Sequence, residues 1–167
     1  MRIGIVGPSS IDNLKEVNKD AELIIESIAG ILWKHDIVLT PNKGSVSEYF
    51  VGYYRKSKGR KNVYIIVPMQ DKEFGISWVN TEIGKTIDCG TWRNQPEKLN
   101  EESDALLVLG YSVGGLAEIA YSKWFRKKTV YVIKELVSEE LPKDSVRDLD
   151  IKYISYKDVE LIFKNAK

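Results

Sequence analysis

Leu106-Leu107-Val108-Leu109-Gly110-Tyr111-Ser112-Val113-Gly114-Gly115-Leu116-Ala117-Glu118 is the stretch on which the reading of this chain turns. A continuous apolar run meets a glycine-rich turn, and the turn opens an amphipathic helix. Val113, Leu116, Ala117, Ala120, Tyr121 and Trp124 repeat at helical spacing. Glycines let a backbone approach an anion closely. A helix start then offers unpaired N–H groups and the positive end of its dipole. The pattern predicts a strand, a phosphate-holding turn and a helix, with Glu118 one turn inside the helix.

Working outward, the same alternation recurs. Arg2–Val6 reads as a strand ending at Gly7-Pro8-Ser9-Ser10, and Asp20–Trp33 as a helix with Ala21, Ile24, Ile25, Ile28 and Leu32 on one face. Asp36–Thr40 is a second strand, stopped by Pro41-Asn42-Lys43-Gly44. Ser45–Lys58 follows as a helix that stops at Gly59. Strand Asn62–Val67 leads into an irregular segment, Met69–Asn80, and a short helix is expected over Thr81–Thr86. Helix Pro96–Glu102 has proline near its first turn. Strand Ala105–Leu109, helix Gly114–Arg126, strand Thr129–Ile133, strand Ile151–Ile154 and helix Lys157–Asn165 complete the series.

The strands are short continuous apolar runs, the mark of a parallel sheet covered on both faces. The expected fold is therefore α/β: a three-layer, Rossmann-like, doubly wound and mainly parallel sheet with helices on both faces. One domain is expected over residues 1–167. In such folds ligands bind outside the carboxyl ends of the strands. Three turns leave from there: Gly7–Ser10, Thr40–Ser45 and Gly110–Gly115.

Bulk properties narrow the choice. The chain has 25 basic and 24 acidic residues, which argues against a protein that coats nucleic acid. Its single cysteine, Cys89, precludes an internal disulfide and suits a reducing compartment. With one histidine, His35, a His/Cys metal site is not expected. No apolar run approaches the roughly 20 residues of a membrane span. The opening residues read as a strand and not as a signal peptide, so a cytoplasmic location is expected.

Three segments together resemble the LONELY GUY and "possible lysine decarboxylase" superfamily, and within it the small branch related to the DNA-processing protein DprA/Smf. They are Ile3-Gly4-Ile5-Val6-Gly7-Pro8-Ser9-Ser10, then Arg93-Asn94 ahead of Ser103-Asp104-Ala105-Leu106-Leu107-Val108-Leu109, and Gly110–Glu118, where the family carries Gly-Gly-x-Gly-Thr-x-x-Glu. The resemblance spans nearly the whole chain and is most specific over residues 93–118. It implies a domain that binds nucleotides or other phosphorylated ligands, often as a homodimer. No cofactor is expected. The characterised enzymes hydrolyse the N-glycosidic bond of nucleoside 5′-monophosphates.

Carried onto this chain, the resemblance implies catalytic roles for Glu118 and Arg93. Gly7, Ser9, Ser10, Lys43, Gly44, Ser45, Asn94, Gly110, Tyr111, Ser112, Val113, Gly114 and Gly115 would surround the ligand. Glu118 would stabilise charge at the sugar or position water. Arg93 would contact phosphate through its planar fork. Trp78 and Trp92 flank the expected mouth of the site, where one of them stacking on a base stands against plain core packing. Serines after a strand equally serve as caps, and the basic run Arg55–Lys61 reads as a solvated helix end.

This chain also departs from the family pattern. Aligned on Glu118, the family's threonine is Gly115 and its first two glycines are Tyr111 and Ser112. The turn Thr40-Pro41-Asn42-Lys43-Gly44-Ser45 contains a proline, which has no N–H to offer. These departures favour a second function, a non-catalytic carrier or sensor like the relatives that carry a phosphorylated pterin cofactor with molybdenum. A DNA-processing partner is a third. Lysine decarboxylation is set aside, because nothing in the turns points to the Schiff-base lysine it needs.

Overall fold

The computed structural model describes residues 1–57, 61–125 and 128–164. Seven strands form one sheet: β1 (Arg2–Val6), β2 (Asp36–Leu39), β3 (Val63–Val67), β4 (Lys85–Asp88), β5 (Ala105–Val108), β6 (Thr129–Ile133) and β7 (Asp150–Ile154). Their order is β4-β3-β2-β1-β5-β6-β7, and every pairing is parallel. Six α-helices accompany them: α1 (Ile11–Val17), α2 (Ala21–Ile31), α3 (Val46–Lys56), α4 (Gln95–Glu101), α5 (Val113–Tyr121) and α6 (Val159–Lys164). This is the doubly wound, Rossmann-like α/β architecture expected from the alternation of elements.

Period-two alternation of the strand side chains divides the interior in two. Ile37 and Leu39 of β2 point to one face, with Leu14 of α1, Ile25 and Ile28 of α2, Phe50 and Tyr54 of α3 and Phe163 of α6. Val38 of the same strand points to the other, with Leu99 of α4 and Ile119 of α5. Each layer thus removes a separate set of apolar side chains from water, the dominant favourable term in folding.

Topology places the crevice. From β1 the chain moves to β2 on one side, and from β5 to β6 on the other, although β1 and β5 are paired, with Gly4 opposite Leu106. Their outgoing turns diverge and leave a gap at the carboxyl edge, the topological switch point of an open α/β sheet.

One expectation is corrected, and one helix is added. The helix expected over residues 81–86 is instead a turn leading into β4. Thr86 and Ile87 pair with β3, and a Cβ on Gly84 would lie 2.7 Å from the Val63 carbonyl oxygen, so only glycine lets the backbone pass there. The strand is a largely exposed edge and carries no apolar run to announce it. Residues 11–17, not assigned to any element from the sequence, form α1, which buries only Ile11 and Leu14. Several expected boundaries lie outside the described residues: the helix ends at Lys58, Arg126 and Asn165, the stop at Gly59, and residues 58–60 of the basic run.

Candidate functional site

The switch point opens into a cavity of about 690 Å³. Gly7, Pro8 and Ser9 reach it from β1; Thr40, Asn42, Ser45 and Ser47 come from the end of β2 and the start of α3. Ser112 caps α5, to which Val113, Gly114, Gly115, Ala117 and Glu118 belong, and Gln95 and Pro96 stand at the start of α4. Phe74, Trp78 and Trp92 close the remaining side. Among the described residues, Glu118 is the one ionisable side chain in this lining, and no lysine or arginine belongs to it.

The start of α5 follows from its sequence. Ser112 is extended, and its Oγ accepts from the Gly115 N–H at 3.0 Å, a serine N-cap. Leu116 N donates to Ser112 O at 2.8 Å. Among the described residues the N–H groups of Val113 and Gly114 donate to nothing in the protein. A Cβ on Gly114 would meet nothing within 4 Å, whereas one on Gly115 would press Val6 at 3.0 Å. Gly115 thus serves the packing of helix on sheet, and Gly114 leaves the helix start open to the cavity. Gly7 serves packing too, since a Cβ there would come within 2.9 Å of Val46.

Glu118 sits partly buried at the cavity wall. Gln95 Nε2 donates to Glu118 Oε1 at 2.7 Å and to Thr40 Oγ1 at 2.8 Å, joining the start of α4 to the second turn of α5 and to the end of β2. Asn100 Nδ2 donates to the Glu118 carbonyl at 2.8 Å and ties α4 to α5. Burial away from water pushes the Glu118 carboxyl up to about 7, and the Gln95 bond opposes this only in part. Near neutral pH the group exchanges between acid and carboxylate, a property that gathers at functional sites. Asn42 adds a buried Oδ1 without a donor.

The mouth is aromatic. Trp78 and Trp92 stack at 5.7 Å between ring centroids and 18° between planes. Phe74 and Trp78 are 54% and 41% exposed, respectively.

Several residues expected at the ligand are not among those that line this cavity. Arg93 is 79% exposed and pairs with Glu73 at 3.0 Å, outside the cavity lining. The Lys43 ammonium donates to Ser77 O at 3.0 Å, and Gly44 N–H to Glu48 Oε2 at 2.7 Å. Asn94 Oδ1 accepts from Thr91 Oγ1 at 2.8 Å. Ser10 caps α1 through the Asp12 N–H. The Tyr111 hydroxyl meets that of Tyr153 at 2.9 Å. Gly110, with φ +115°, is packed so closely on Leu14 that a Cβ would lie 2.3 Å from its Cδ2. Its glycine is required by backbone and packing.

Gln95 was not singled out from the sequence. The only local signal is its position just before Pro96, which marks a helix start near the site. His35 lies away from this edge, at the end of the helical turn before β2.

No protein-family model matches the chain, and no curated protein matches its sequence. Solved structures do match its fold. The molybdenum cofactor binding protein of the phototrophic bacterium Rippkaea orientalis is 20% identical, with TM-score 0.68, over 99% of this chain and 97% of that one. The Moco carrier protein of Chlamydomonas reinhardtii is 14% identical, with TM-score 0.73, over 98% and 94%. A structural genomics target is 19% identical, with TM-score 0.70, over 98% of both chains. At these identities the likeness shows a shared Rossmann-like fold over nearly the whole of each chain.

Proposed function

We propose that this protein binds a phosphorylated small molecule in the switch-point cavity and carries it without converting it. The observation that carries the reading is the open start of α5. Two N–H groups without an acceptor among the described residues and the positive end of a helix dipole face a cavity beside a glycine with free space around it. Among the described residues the lining has hydroxyls and amides but no cationic side chain, which suits one phosphate group better than a polyphosphate or a nucleic-acid backbone. A link to the DprA/Smf-related branch, or to DNA processing, rests on sequence resemblance alone.

The placement of Arg93 supports carriage over turnover, since it is paired with Glu73 away from the lining. Two of the proteins with this fold bind or carry the molybdenum cofactor, a phosphorylated pterin. Among the described residues no cluster of His, Cys, Asp and Glu is arranged to hold a metal ion. A cargo of that kind would be gripped by its phosphate and its ring. The second reading is phosphoribohydrolase activity on a nucleoside 5′-monophosphate. It is favoured by one observation: Glu118 lines the same cavity, with its carboxyl raised to about 7.

A homodimer fits the outer surface of α5. Val113, Leu116 and Trp124 are 88%, 39% and 74% exposed, and Ala120 lies among them. An apolar stripe of this kind marks an interaction face, and a second copy covering it would sit at the cavity rim.

The test is Gly114→Asp. Aspartate near a helix start is tolerated or stabilising by about 0.3–1 kcal/mol, and the site has room for it. The melting temperature should hold, while affinity for ribose 5-phosphate and guanosine 5′-monophosphate falls on the order of a hundredfold through like-charge repulsion. Unchanged affinity would overturn the phosphate assignment. Guanine released by the unmodified protein, followed by chromatography, would replace carriage by hydrolysis.

A further inference from the structure

Residues 68–84 link β3 to β4 without an α-helix, yet they are pinned at several points. Asp71 Oδ1 accepts from the Phe74 N–H at 2.8 Å, and Asp71 Oδ2 from the Trp92 N–H at 2.9 Å. The Trp92 indole N–H donates to Gly75 O at 2.8 Å. On the other side, Lys43 N donates to Trp78 O and Asn80 N to Pro41 O, both at 2.8 Å, and Asn42 bridges to Val79. Asn80 Nδ2 reaches Glu48 Oε1 at 2.6 Å.

This bracing holds up a stacked pair of rings, of which Trp92 packs against the core and Trp78 does not. Trp92 stacks on Trp78 and is itself locked by its indole bond, while Trp78 lines the cavity with 41% of its surface still exposed. A large indole left in water at a cavity mouth, with another ring fixed behind it, is a preorganised surface for a flat partner. Beside it lies Asn42, which lines the cavity and whose backbone bridges to Val79.

We infer that Trp78, backed by Trp92, is the stacking platform for a planar bicyclic heteroaromatic ring at the far end of the ligand from its phosphate, so that the 68–84 segment sets which ligand is taken. The inference rests on the reading of the cavity as a phosphorylated-ligand site. A purine and a pterin share the chemistry: a flat π-system with N–H and carbonyl groups at its edge.

Stacking of a base on an aromatic side chain changes affinity by roughly 5- to 150-fold when the side chain is cut to alanine. The probes are guanosine 5′-monophosphate, neopterin monophosphate and ribose 5-phosphate, titrated calorimetrically and by tryptophan quenching. The unmodified protein should bind a ring-bearing probe more tightly than ribose 5-phosphate by a factor in that range. Trp78→Ala should erase that margin and leave ribose 5-phosphate affinity unchanged, and Trp78→Phe should restore most of it. Whichever ring-bearing probe binds tighter identifies the source of the ring.

Equal affinity for ring-bearing and ringless probes, or an equal loss for all three in Trp78→Ala, would overturn the inference. Failure of the phosphate reading looks different: ribose 5-phosphate would not bind and Gly114→Asp would change nothing. The platform would then still be judged on unphosphorylated guanosine and neopterin, whose binding must depend on Trp78.

Discussion

Two of the helix starts that face the cavity, those of α3 and α5, use the same cap and end in opposite electrostatic states. At α3, Ser45 Oγ accepts from the Glu48 N–H at 3.2 Å, and at α5, Ser112 Oγ accepts from the Gly115 N–H at 3.0 Å. The α3 start is then largely closed by its own chain, and among the described residues only the Ser47 N–H of its first turn lacks an acceptor. Val46 N donates to Pro8 O at 3.1 Å, and the Glu48 carboxylate takes the Gly44 N–H and the Asn80 amide. An anion already occupies that dipole. The α5 start has no acid in its first turn, and two of its N–H groups have no acceptor among the described residues. A serine after a strand marks where a helix begins; what stands three residues later decides whether that beginning can hold a ligand's phosphate.

The glycines of the two turns give the sharpest test of this contrast. Gly110 and Gly44 both have positive φ, +115° and +77°. Around Gly110 a Cβ would strike Leu14 at 2.3 Å and Pro8 at 3.2 Å, while around Gly44 nothing lies within 4 Å. Gly110→Ala combines backbone strain with overpacking and should cost about 3 kcal/mol or more. Gly44→Ala carries the backbone term alone, about 1–2 kcal/mol. Urea titration of both variants measures the gap. Equal losses would mean that the β5–α5 turn is no more tightly built than its counterpart.

The two glutamates sharpen the comparison further. Glu48 meets two donors, and Glu118 meets one at the cavity wall. With its folded value near 7 against an ordinary 4.5, Glu118 keeps a proton in the folded protein that the unfolded chain has lost. Its contribution to stability is therefore greatest below pH 4.5, declines between 4.5 and 7, and is a constant penalty above that. Glu118→Gln removes the penalty while keeping an oxygen for Gln95. It should match the parent protein near pH 4.5 and exceed it by up to roughly 3 kcal/mol at pH 8. Thermal melts across that range decide the matter, and a gap that does not grow with pH would show that Glu118 is solvated.

The region around β5 was legible because it obeys two simple periods. A strand buried on both faces reads as Ala105 to Leu109 without a polar break, and α5 carries its apolar residues at helical spacing. β4 was hidden because an exposed edge strand has no such run. Gln95 was hidden for another reason. Its role exists only where the start of α4 meets Thr40 and Glu118, residues 55 and 23 positions away. Arg93 and Lys43 drew attention by residue type, but a long flexible side chain can turn to any nearby partner, and these two turn to Glu73 and Ser77. Patterning shows which backbone faces the crevice; the direction of the long polar side chains is settled by tertiary neighbours.

The smallest expected effect bears most directly on why one helix start is open and the other shut. Glu48→Gln keeps an oxygen near the Gly44 N–H but removes the charge over the α3 dipole. Stability should fall by only about 0.5–1 kcal/mol, since one charge-assisted contact becomes neutral and one favourable dipole interaction is lost. The same change takes a negative charge from the neighbourhood of the cavity, so inorganic phosphate should bind a few-fold more tightly, with the gain shrinking as salt is added. If phosphate affinity falls instead, Glu48 is holding the 68–84 segment in place through Asn80 more than it repels the ligand. The second mutation Asn80→Ala separates these roles: it breaks the same tie at 2.6 Å without altering the charge. A loss shared by both variants would assign Glu48 to architecture, and a gain confined to Glu48→Gln would assign it to electrostatic closure of α3.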